Sequence, residues 1–290
     1  MLKIALLAYT SRQDAVRWAL HAAQRLLEEG VEVYLEDGLA EVTPPEIASK
    51  CETCSPKEIE KYADLLITFG GDGTLLGAAH LLIGSDVPIM GVNVGKLGFL
   101  AEFPVSSLDE SLMQVLKGNY RIVDRTTLLI DLNGTTAHAL NELLIDRGSE
   151  TKLIEVRAFV EEHLVADYRA DGVLVATPTG STAYSLAAGG PIIVPSAEAL
   201  CITPISPHTL TLRPLIISDN SEVSFTLKQE GMTAHVVADG HRIGTMEAGT
   251  RVVVRKSENM VKLVKRADST YYDLLREKLL WSADTIRDRS

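Results

Sequence analysis

The sequence predicts an α/β plus all-β protein: an N-terminal Rossmann-like parallel α/β domain, a C-terminal β-sandwich domain, and a C-terminal helix that returns to the first domain. Up to residue 119, short apolar runs alternate with amphipathic stretches of helical period. Residues 120–260 consist of short β-branched segments separated by Gly, Pro and Asn. Helical spacing returns within residues 261–290. The predicted boundaries are therefore 1–119, 120–260 and 261–290.

The individual elements follow from the same patterns. In the first domain we predict strands at residues 3–9, 31–35, 62–69 and 88–93, and helices at 14–29 and 75–83. Strands that alternate with helices in this way run parallel, because each helix returns the chain to the same edge of the sheet. In the second domain we predict strands at 125–132, 137–145, 153–160, 163–168, 172–176, 222–227, 234–238 and 250–255, and the final helix is predicted at 270–281.

Composition limits the class of protein. The 290 residues are 46% hydrophobic and only 23% charged, which is enough apolar surface for a large core. The formal net charge of -11 argues against a protein that neutralises many nucleic-acid phosphates. Three cysteines cannot all pair within one chain, which suits a reducing compartment. Because no apolar run is long enough for a membrane span or a signal peptide, we expect a cytoplasmic protein without nucleic-acid or membrane partners.

A glycine-rich loop, Gly70-Gly71-Asp72-Gly73-Thr74, joins a predicted strand to a predicted helix. The free N–H groups of a helix start and its dipole favour an anion, and glycine lets the backbone approach it closely. Asp72 would repel a phosphate there unless a cation bridges the two or Asp72 accepts a proton in a reaction. The residues alone leave two interpretations open: Asp72 caps the helix in an ordinary turn, or it is a functional group of a phosphate site.

A second polar motif lies within the predicted β domain. Residues 177–191 are rich in Thr, Ser and Gly, which predicts a turn and a short helix capped by Ser181 or Thr182. Two shorter pairs precede it, Asn141-Glu142 and Asp171-Gly172. An Asn side chain both donates and accepts, as a base requires, and a carboxylate suits ribose hydroxyls. Each pair is weak evidence alone, but together they indicate a site for a polar ligand.

These motifs, in this order, resemble the NAD kinases. The likeness rests on residues 70–74, 91–100, 141–142, 171–172, 177–191, 205–210 and 213–214, and it extends from about residue 60 to 255. It implies transfer of a phosphoryl group from ATP to the 2′-hydroxyl of the adenosine ribose of NAD, with a divalent cation, normally Mg²⁺. It also implies a cytoplasmic homodimer or homotetramer whose ligands are small molecules.

The resemblance further implies residue roles, in a site between the two domains. Asp72 would be the proton acceptor, and the phosphate loop would consist of Gly70, Gly71, Gly73 and Thr74. The residues expected to bind NAD are Asp72, Gly73, Asn141, Glu142, Lys152, Arg169, Asp171, Thr182, Ala183, Tyr184, Ser185, Leu186, Ala187 and His241. Where many members have Asp-Gly-Gln, this chain has Asp239-Gly240-His241, although imidazole also donates or accepts a hydrogen bond. The metal ligands stay unassigned.

Three other interpretations remain at this point. The first is a lipid or sugar kinase, because these enzymes share the Gly-Gly-Asp-Gly sequence. The second is a non-catalytic dinucleotide sensor that has lost activity, and the third is a β domain that serves only assembly. The Asn-Glu pair and the polar motif are not expected of a lipid or sugar kinase, and the polar motif is not expected of a domain that serves only assembly. Retention of Asp72 counts against the sensor. The phosphorylated product distinguishes the enzymes, and binding without turnover would identify the sensor.

Overall fold

The computed structural model describes residues 1–281. Within them the chain forms two compact units. The first contains Met1–Asp124 and the segment that begins at Val261, and the second is Arg125–Met260. A parallel α/β sheet in the first unit and antiparallel sheets in the second confirm the predicted fold class.

Strands and helices are numbered in chain order. The strands are β1 (Lys3–Ala8), β2 (Glu32–Glu36), β3 (Glu52–Cys54), β4 (Leu65–Gly70), β5 (Ile89–Asn93), β6 (Phe103–Pro104), β7 (Tyr120–Arg125), β8 (Leu128–Leu132), β9 (Thr135–Ala139), β10 (Glu142–Asp146), β11 (Ile154–Val160), β12 (His163–Ala170), β13 (Gly172–Ala176), β14 (Ala199–Ile205), β15 (Leu215–Ser218), β16 (Val223–Leu227), β17 (Ala234–Ala238), β18 (His241–Met246), β19 (Arg251–Lys256) and β20 (Val261–Arg266). The α-helices are α1 (Gln13–Glu28), α2 (Asp37–Glu41), α3 (Pro45–Ala48), α4 (Ile59–Tyr62), α5 (Asp72–Leu81), α6 (Leu108–Leu116), α7 (Tyr184–Ala187) and α8 (Tyr271–Leu279).

The sheet of the first unit has the strand order β3-β2-β1-β4-β5-β20-β7, and β6 pairs with β5. All six residues of β4 are buried, which is why that strand reads as a continuous apolar run. Helix α1 buries Ala15, Ala19 and Ala22 at helical spacing. The order of the strands reverses beside β1 and β4, and ligands of such sheets bind outside the carboxyl ends of strands at that point. The glycine-rich loop begins at the carboxyl end of β4.

The second unit contains two six-stranded sheets, with the orders β15-β14-β13-β10-β17-β18 and β12-β11-β16-β19-β8-β9. Side chains from both sheets form one apolar core that includes Leu143, Phe225 and Val254. The alternation of buried and half-buried residues along β8 and β11 is typical of sheets with one face in such a core.

Several predicted boundaries in the first two domains are wrong. The predicted strand at 137–145 is two strands, because pairing stops after Ala139 and resumes at Glu142. The predicted strand at 62–69 begins at Leu65, since Tyr62 ends α4. The prediction at 125–132 joined the end of β7 to β8. The prediction also missed the strands β3, β6, β14, β15 and β18 and the helices α2, α3, α4 and α6.

The predicted helical segment 261–290 is wrong in its first part. Residues 261–266 form β20, which lies between β5 and β7 in the first sheet and buries Val261 and Leu263 with the period of two typical of a strand. The final helix is confirmed as α8, and Thr270 and Asp273 form a capping box at its start. The predicted segment also includes residues 282–290, which lie outside the described residues. None of the helices within residues 1–281 has the length and apolar character that crossing a bilayer requires.

Candidate active site

The glycine-rich loop connects β4 to α5 in the first unit. Helix α5 begins at Asp72, three residues before the predicted start at residue 75, and Gly71 is its N-cap. A Cβ added to Gly71 or Gly73 would meet no atom within 4 Å, so the backbone at these positions borders open space. The start of α5 therefore borders accessible space, as a phosphate site requires, and the N–H groups of Thr74 and Leu75 in its first turn donate to Gly71 O at 3.1 and 3.2 Å.

The carboxylate of Asp72 binds the backbone of a second loop. Its Oδ2 accepts the N–H of Phe99 at 2.8 Å, and its Oδ1 accepts the N–H groups of Leu100 and Ala101, both at 3.0 Å. A Cβ at Gly98 would lie 1.9 Å from Oδ1, so only glycine allows this approach. A carboxylate has about four acceptor sites, and these bonds leave one of them on Oδ2. The interpretation of Asp72 as a cap of its own helix is therefore wrong.

Two further elements hold the loop at residues 97–102. Lys265 of β20 donates to Leu100 O at 3.3 Å and to Glu102 Oε2 at 2.9 Å. Lys278 of α8 donates to Leu97 O, and its ammonium lies 5.6 Å from the centre of the Phe99 ring. The loop that binds Asp72 is thus fixed by the C-terminal part of the chain.

Asn93 ends β5 directly opposite Gly70 in the sheet register. Its side chain is buried, and Oδ1 has no hydrogen-bond partner among residues 1–281. A buried acceptor without a partner is costly, and such groups are commonly satisfied by a ligand or water. Asn93 therefore belongs with the glycine-rich loop as a candidate contact.

In the second unit, Asn141 and Glu142 lie where β9 gives way to β10. Glu142 is only 9% exposed, and its Oε2 has no hydrogen-bond partner among the described residues. Burial, and secondarily the charge of Asp239, raises the pKa of Glu142 to about 8. At neutral pH Glu142 therefore carries a proton and offers an O–H donor as well as acceptors.

Asp239 lies directly beneath this segment and is 5% exposed. Its carboxylate accepts the N–H groups of Leu140 at 2.6 Å, Asn141 at 2.8 Å and Glu142 at 2.9 Å. Asp239 and Gly240 both have positive φ, +45° and +80°, and form the two-residue turn between β17 and β18. The turn thus places the carboxylate of Asp239 within hydrogen-bond distance of three consecutive backbone N–H groups.

The polar motif packs against the same segment. Thr177 is buried, its Oγ1 donates to Leu140 O at 2.6 Å, and its N–H donates to Asn141 O at 2.9 Å. A Cβ at Gly180 would lie 2.1 Å from Asn141 O. The predicted capping role of Ser181 or Thr182 is wrong, because Ala183 is the N-cap of α7 and Ser181 Oγ instead bonds to Pro178 O and to the backbone of Ile193.

The structure brings part of the predicted NAD-binding set together. Asn141 and Glu142 adjoin the motif that contains Thr182, Ala183, Tyr184, Ser185, Leu186 and Ala187. Tyr184 is 43% exposed, whereas Ser185 is buried with its Oγ 3.2 Å from Thr203 Oγ1. Asp171 precedes β13, the neighbour of β10, and forms an ion pair with Arg147 at 2.6 Å.

Other predicted residues lie at the margins. Lys152 is exposed in the connection before β11, and Arg169 is exposed on β12, which belongs to the other sheet. No hydrogen bond within residues 1–281 joins either side chain to Asn141 or Glu142. His241 begins β18, and its Nδ1 lies 3.2 Å from Asp239 O.

Sequence reasoning missed three contributors. Asn93 lies within residues 91–100, which carry part of the resemblance but give Asn93 no role, Asp239 enters only as the start of Asp-Gly-His, and Arg147 belongs to none of the motifs. Asp-Gly between two strands is a strong signal for a two-residue hairpin, which could have located Asp239 at a turn. Its contact with residues 140–142 spans about a hundred positions and leaves no local signal.

The side chains do not form a metal cage in the part of the chain that the structure describes. No group of three or more His, Cys, Asp and Glu side chains there is arranged to hold a cation. Mg²⁺ is usually bound through one or two carboxylates together with substrate phosphates.

A glycine-rich loop at the reversal point of a parallel sheet is typical of a nucleotide-binding protein. The sequence profile of the ATP-NAD kinase N-terminal domain matches residues 4–120, and that of the ATP-NAD kinase C-terminal domain matches residues 140–266. The chain belongs to the ATP-NAD kinase family, which confirms the resemblance seen in the motifs.

Individual relatives agree with this assignment. The chain is 39% identical to an NAD kinase of Prosthecochloris aestuarii, over 97% of both chains. It is 38% identical to one of Syntrophotalea carbinolica, over 97% of this chain and 99% of the relative. The crystal structure of yeast NADH kinase complexed with NADH matches with a TM-score of 0.88 at 25% identity. The match covers 98% of this chain and 89% of the yeast chain. An NAD kinase from Archaeoglobus fulgidus in complex with ATP has the same fold, with a TM-score of 0.76 at 24% identity over 96% and 99% of the two chains.

Proposed function

We propose that this protein transfers the γ-phosphoryl group of ATP to the 2′-hydroxyl of the adenosine ribose of NAD, with Asp72 as the proton acceptor. The observation that carries the proposal is the fixed carboxylate of Asp72 at the phosphate loop, held by three amides and retaining one acceptor site. Family membership and the NADH and ATP bound in the two solved relatives support the choice of substrates.

The first unit supplies the chemistry of phosphoryl transfer. The start of α5 and Gly70, Gly71 and Gly73 bind the donor phosphates through backbone N–H groups, and Thr74 contributes its hydroxyl, because its own N–H donates to Gly71 O at 3.1 Å. The remaining lone pair of Asp72 Oδ2 accepts the hydroxyl proton as the bond to phosphorus forms, which contributes about 10²–10⁴-fold to the rate. Fixing the carboxylate in advance also avoids the entropic cost of orienting it during the reaction.

The second unit supplies the dinucleotide site. Asn141 donates to and accepts from the base, and Glu142, protonated at neutral pH, hydrogen-bonds ribose hydroxyls through Oε2. The remaining contacts of the dinucleotide are Gly73, Lys152, Arg169, Asp171, Thr182, Ala183, Tyr184, Ser185, Leu186, Ala187 and His241.

The reaction takes a divalent cation, and Mg²⁺ bound to the triphosphate of ATP fits the donor set. When bound, it neutralises charge on the transferring phosphoryl group. Mg²⁺ usually keeps several water ligands and binds substrate phosphates, so the phosphates and water would provide most of its ligands.

We also propose that the protein is cytoplasmic and forms a homodimer or homotetramer. Edge strand β15 exposes Leu215 and Ile216, at 38% and 52% of their surface, and its outer edge is not paired within residues 1–281. A strand edge with exposed apolar side chains is commonly covered by another chain. Light scattering on the purified protein measures the mass of the assembly.

A donor-by-acceptor assay tests the function. Purified protein is incubated with NAD or NADH and with ATP, other nucleoside triphosphates or polyphosphate, and the products are separated by chromatography. We expect NADP from NAD and ATP in the presence of Mg²⁺. Binding of NAD without any phosphorylated product would identify a sensor and overturn the proposal, as would phosphorylation of a lipid or sugar in place of NAD.

The Asp72→Asn variant tests the proton acceptor. We expect it to lower kcat by at least about 10²-fold while the Kd for NAD, measured by calorimetry, changes little. Asp64→Asn is the matched control, because Asp64 also accepts a backbone N–H, that of Lys3 at 2.9 Å, but lies at the opposite end of β4. An NADP formation rate of Asp72→Asn within a few-fold of the wild type would contradict the assigned role.

A further inference from the structure

We propose that Asp239 is a positioning residue of the dinucleotide site, which holds the backbone of Asn141 and Glu142 in the conformation that contacts the adenosine. This inference rests on the proposed function and assigns the geometry of its dinucleotide site to one carboxylate, that of Asp239. Asp239 acts through the residues it binds, since its own carboxylate is 5% exposed and is directed into the protein by its three bonds.

The geometry of residues 140–142 requires a carboxylate. In a strand, successive N–H groups point to opposite sides, so three consecutive donors cannot share one partner. Here the N–H groups of Leu140, Asn141 and Glu142 converge on Asp239, within 2.6–2.9 Å. Converging backbone donors of this kind form an anion-binding concavity. Asp239 therefore creates the interruption between β9 and β10 at which the side chains of Asn141 and Glu142 are presented.

A second bond fixes the register of this arrangement. The N–H of Asp239 donates to Glu142 O at 3.1 Å, and Leu143 pairs with Ala238 in the adjoining sheet. Asp239 thus both accepts from and donates to Glu142. The conformation of Glu142 follows directly from the position of the turn between β17 and β18.

The turn itself does not require an aspartate. Asn and Gly both tolerate positive φ and are common in two-residue hairpin turns. An Asn at this position would replace one acceptor oxygen by an NH₂ group that faces a backbone donor. The carboxylate also lies close enough to Glu142 to raise its pKa, an arrangement of two buried acids that disfavours folding. The three backbone N–H groups that Asp239 accepts, and not the turn, thus explain why residue 239 is an aspartate.

Asp239→Asn and Asp239→Gly test the inference, because both residues fit the positive φ of the turn. We expect the KM for NAD to rise about 10-fold in Asp239→Asn and further in Asp239→Gly, because buried N–H groups lose their acceptor. The KM for ATP should change less than about twofold, since the donor binds the first unit. Asp131→Asn is the matched control: Asp131 accepts a single N–H, that of Gly134 at 2.7 Å, at another hairpin of the same unit.

A merely structural role predicts a different result. It would lower the melting temperature and kcat of both variants through loss of folded enzyme, and it would leave the KM for NAD unchanged. A KM for NAD within twofold of the wild type in both variants would therefore overturn the inference. A double-mutant cycle with Asn141→Ala adds a second readout, because Asp239→Asn should have a much smaller effect on KM once Asn141 no longer contacts the ligand.

Failure of the inference is distinguishable from failure of the proposed function. If the wild-type protein forms no NADP, the proposed function fails, and the inference fails with it. If the wild type forms NADP and the variants keep its KM for NAD, only the inference fails.

Discussion

Lys265 Nζ lies 2.9 Å from Glu102 Oε2, and the two side chains are 6% and 12% exposed. Glu102 also accepts the N–H of Arg266 at 3.1 Å, so this pair joins β20 to the loop that holds Asp72. A charge left alone at such a site is costly, because burial removes it from water without a partner.

Lys265→Met should therefore lower the free energy of unfolding by about 3 kcal/mol, measured by urea denaturation. Lys262→Met is the control on the same strand, since Lys262 forms longer and more exposed ion pairs with Asp86 and Asp124. It should cost less than about 1 kcal/mol. The double variant Lys265→Met/Glu102→Gln should recover part of the loss, and equal effects of the two single lysine variants would contradict the prediction.

Glu142→Gln should change how stability depends on pH. The pKa of Glu142 in the folded protein is about 8, above the usual value of 4.5, so the folded state holds a proton that the unfolded state releases. The stabilisation from that proton is complete below about pH 4.5 and is lost as the pH rises through about 8. Each pH unit in this window lowers the free energy of unfolding by up to about 1.4 kcal/mol.

We therefore expect the wild type to lose stability relative to Glu142→Gln between pH 5 and 8, in urea denaturation at a series of pH values. Parallel curves for the two proteins would show that Glu142 titrates normally.

Gly180→Ala should displace Asn141, because the new Cβ would lie 2.1 Å from its carbonyl oxygen. We expect a loss of about 1–3 kcal/mol in the free energy of unfolding and a higher KM for NAD. Gly77→Ala provides the comparison, since a Cβ there meets no atom within 4 Å and Gly77 lies inside α5. That variant should be as stable as the wild type or more stable by up to about 1 kcal/mol. The prediction is wrong if both variants bind NAD equally well.

Lys278→Met should lower kcat. The substitution keeps the apolar stem but removes the bond to Leu97 O and the cation over Phe99. The loop at residues 97–102, whose N–H groups hold the carboxylate of Asp72, then loses one of its fixed points. We expect kcat to fall several-fold, up to about 10-fold, in steady-state kinetics. Lys61→Met, at an exposed ion pair with Glu58, should leave kcat unchanged. Equal kcat values for the two variants would contradict a role of α8 in holding this loop.

Local patterns were sufficient for the main architecture and for the motifs. The largely apolar β4, the helical period of α1 and the Gly-Gly-Asp-Gly loop can each be recognised within a few residues of sequence. The errors arise where a contact between residues distant in the sequence determines the secondary structure. Residues 137–145 look like one strand because the interruption at Asn141 is imposed by Asp239, and β20 was assigned to a helical segment because its partner strands lie more than a hundred residues away.

The site shows the same division. Asp72 was identified from its loop, but its three bonds to residues 99–101 depend on the fold of β5 and the following segment. Lys152 and Arg169 were assigned by position in the resemblance, and the structure shows exposed side chains at both. Residue type and local spacing thus indicate the chemistry, whereas the groups that orient it are specified by long-range packing.

The insertion of β20 between β5 and β7 has a consequence for synthesis of the chain. During translation, residues 1–124 emerge well before Val261, so the first sheet at that stage lacks the strand between β5 and β7, which are two strand spacings, about 9.6 Å, apart in the complete sheet. The second unit, which is continuous in the chain, is complete first. The unit that carries Asp72 therefore reaches its final form only after β20 has left the ribosome, and a product that ends before Val261 lacks Lys265, which holds the loop at residues 97–102.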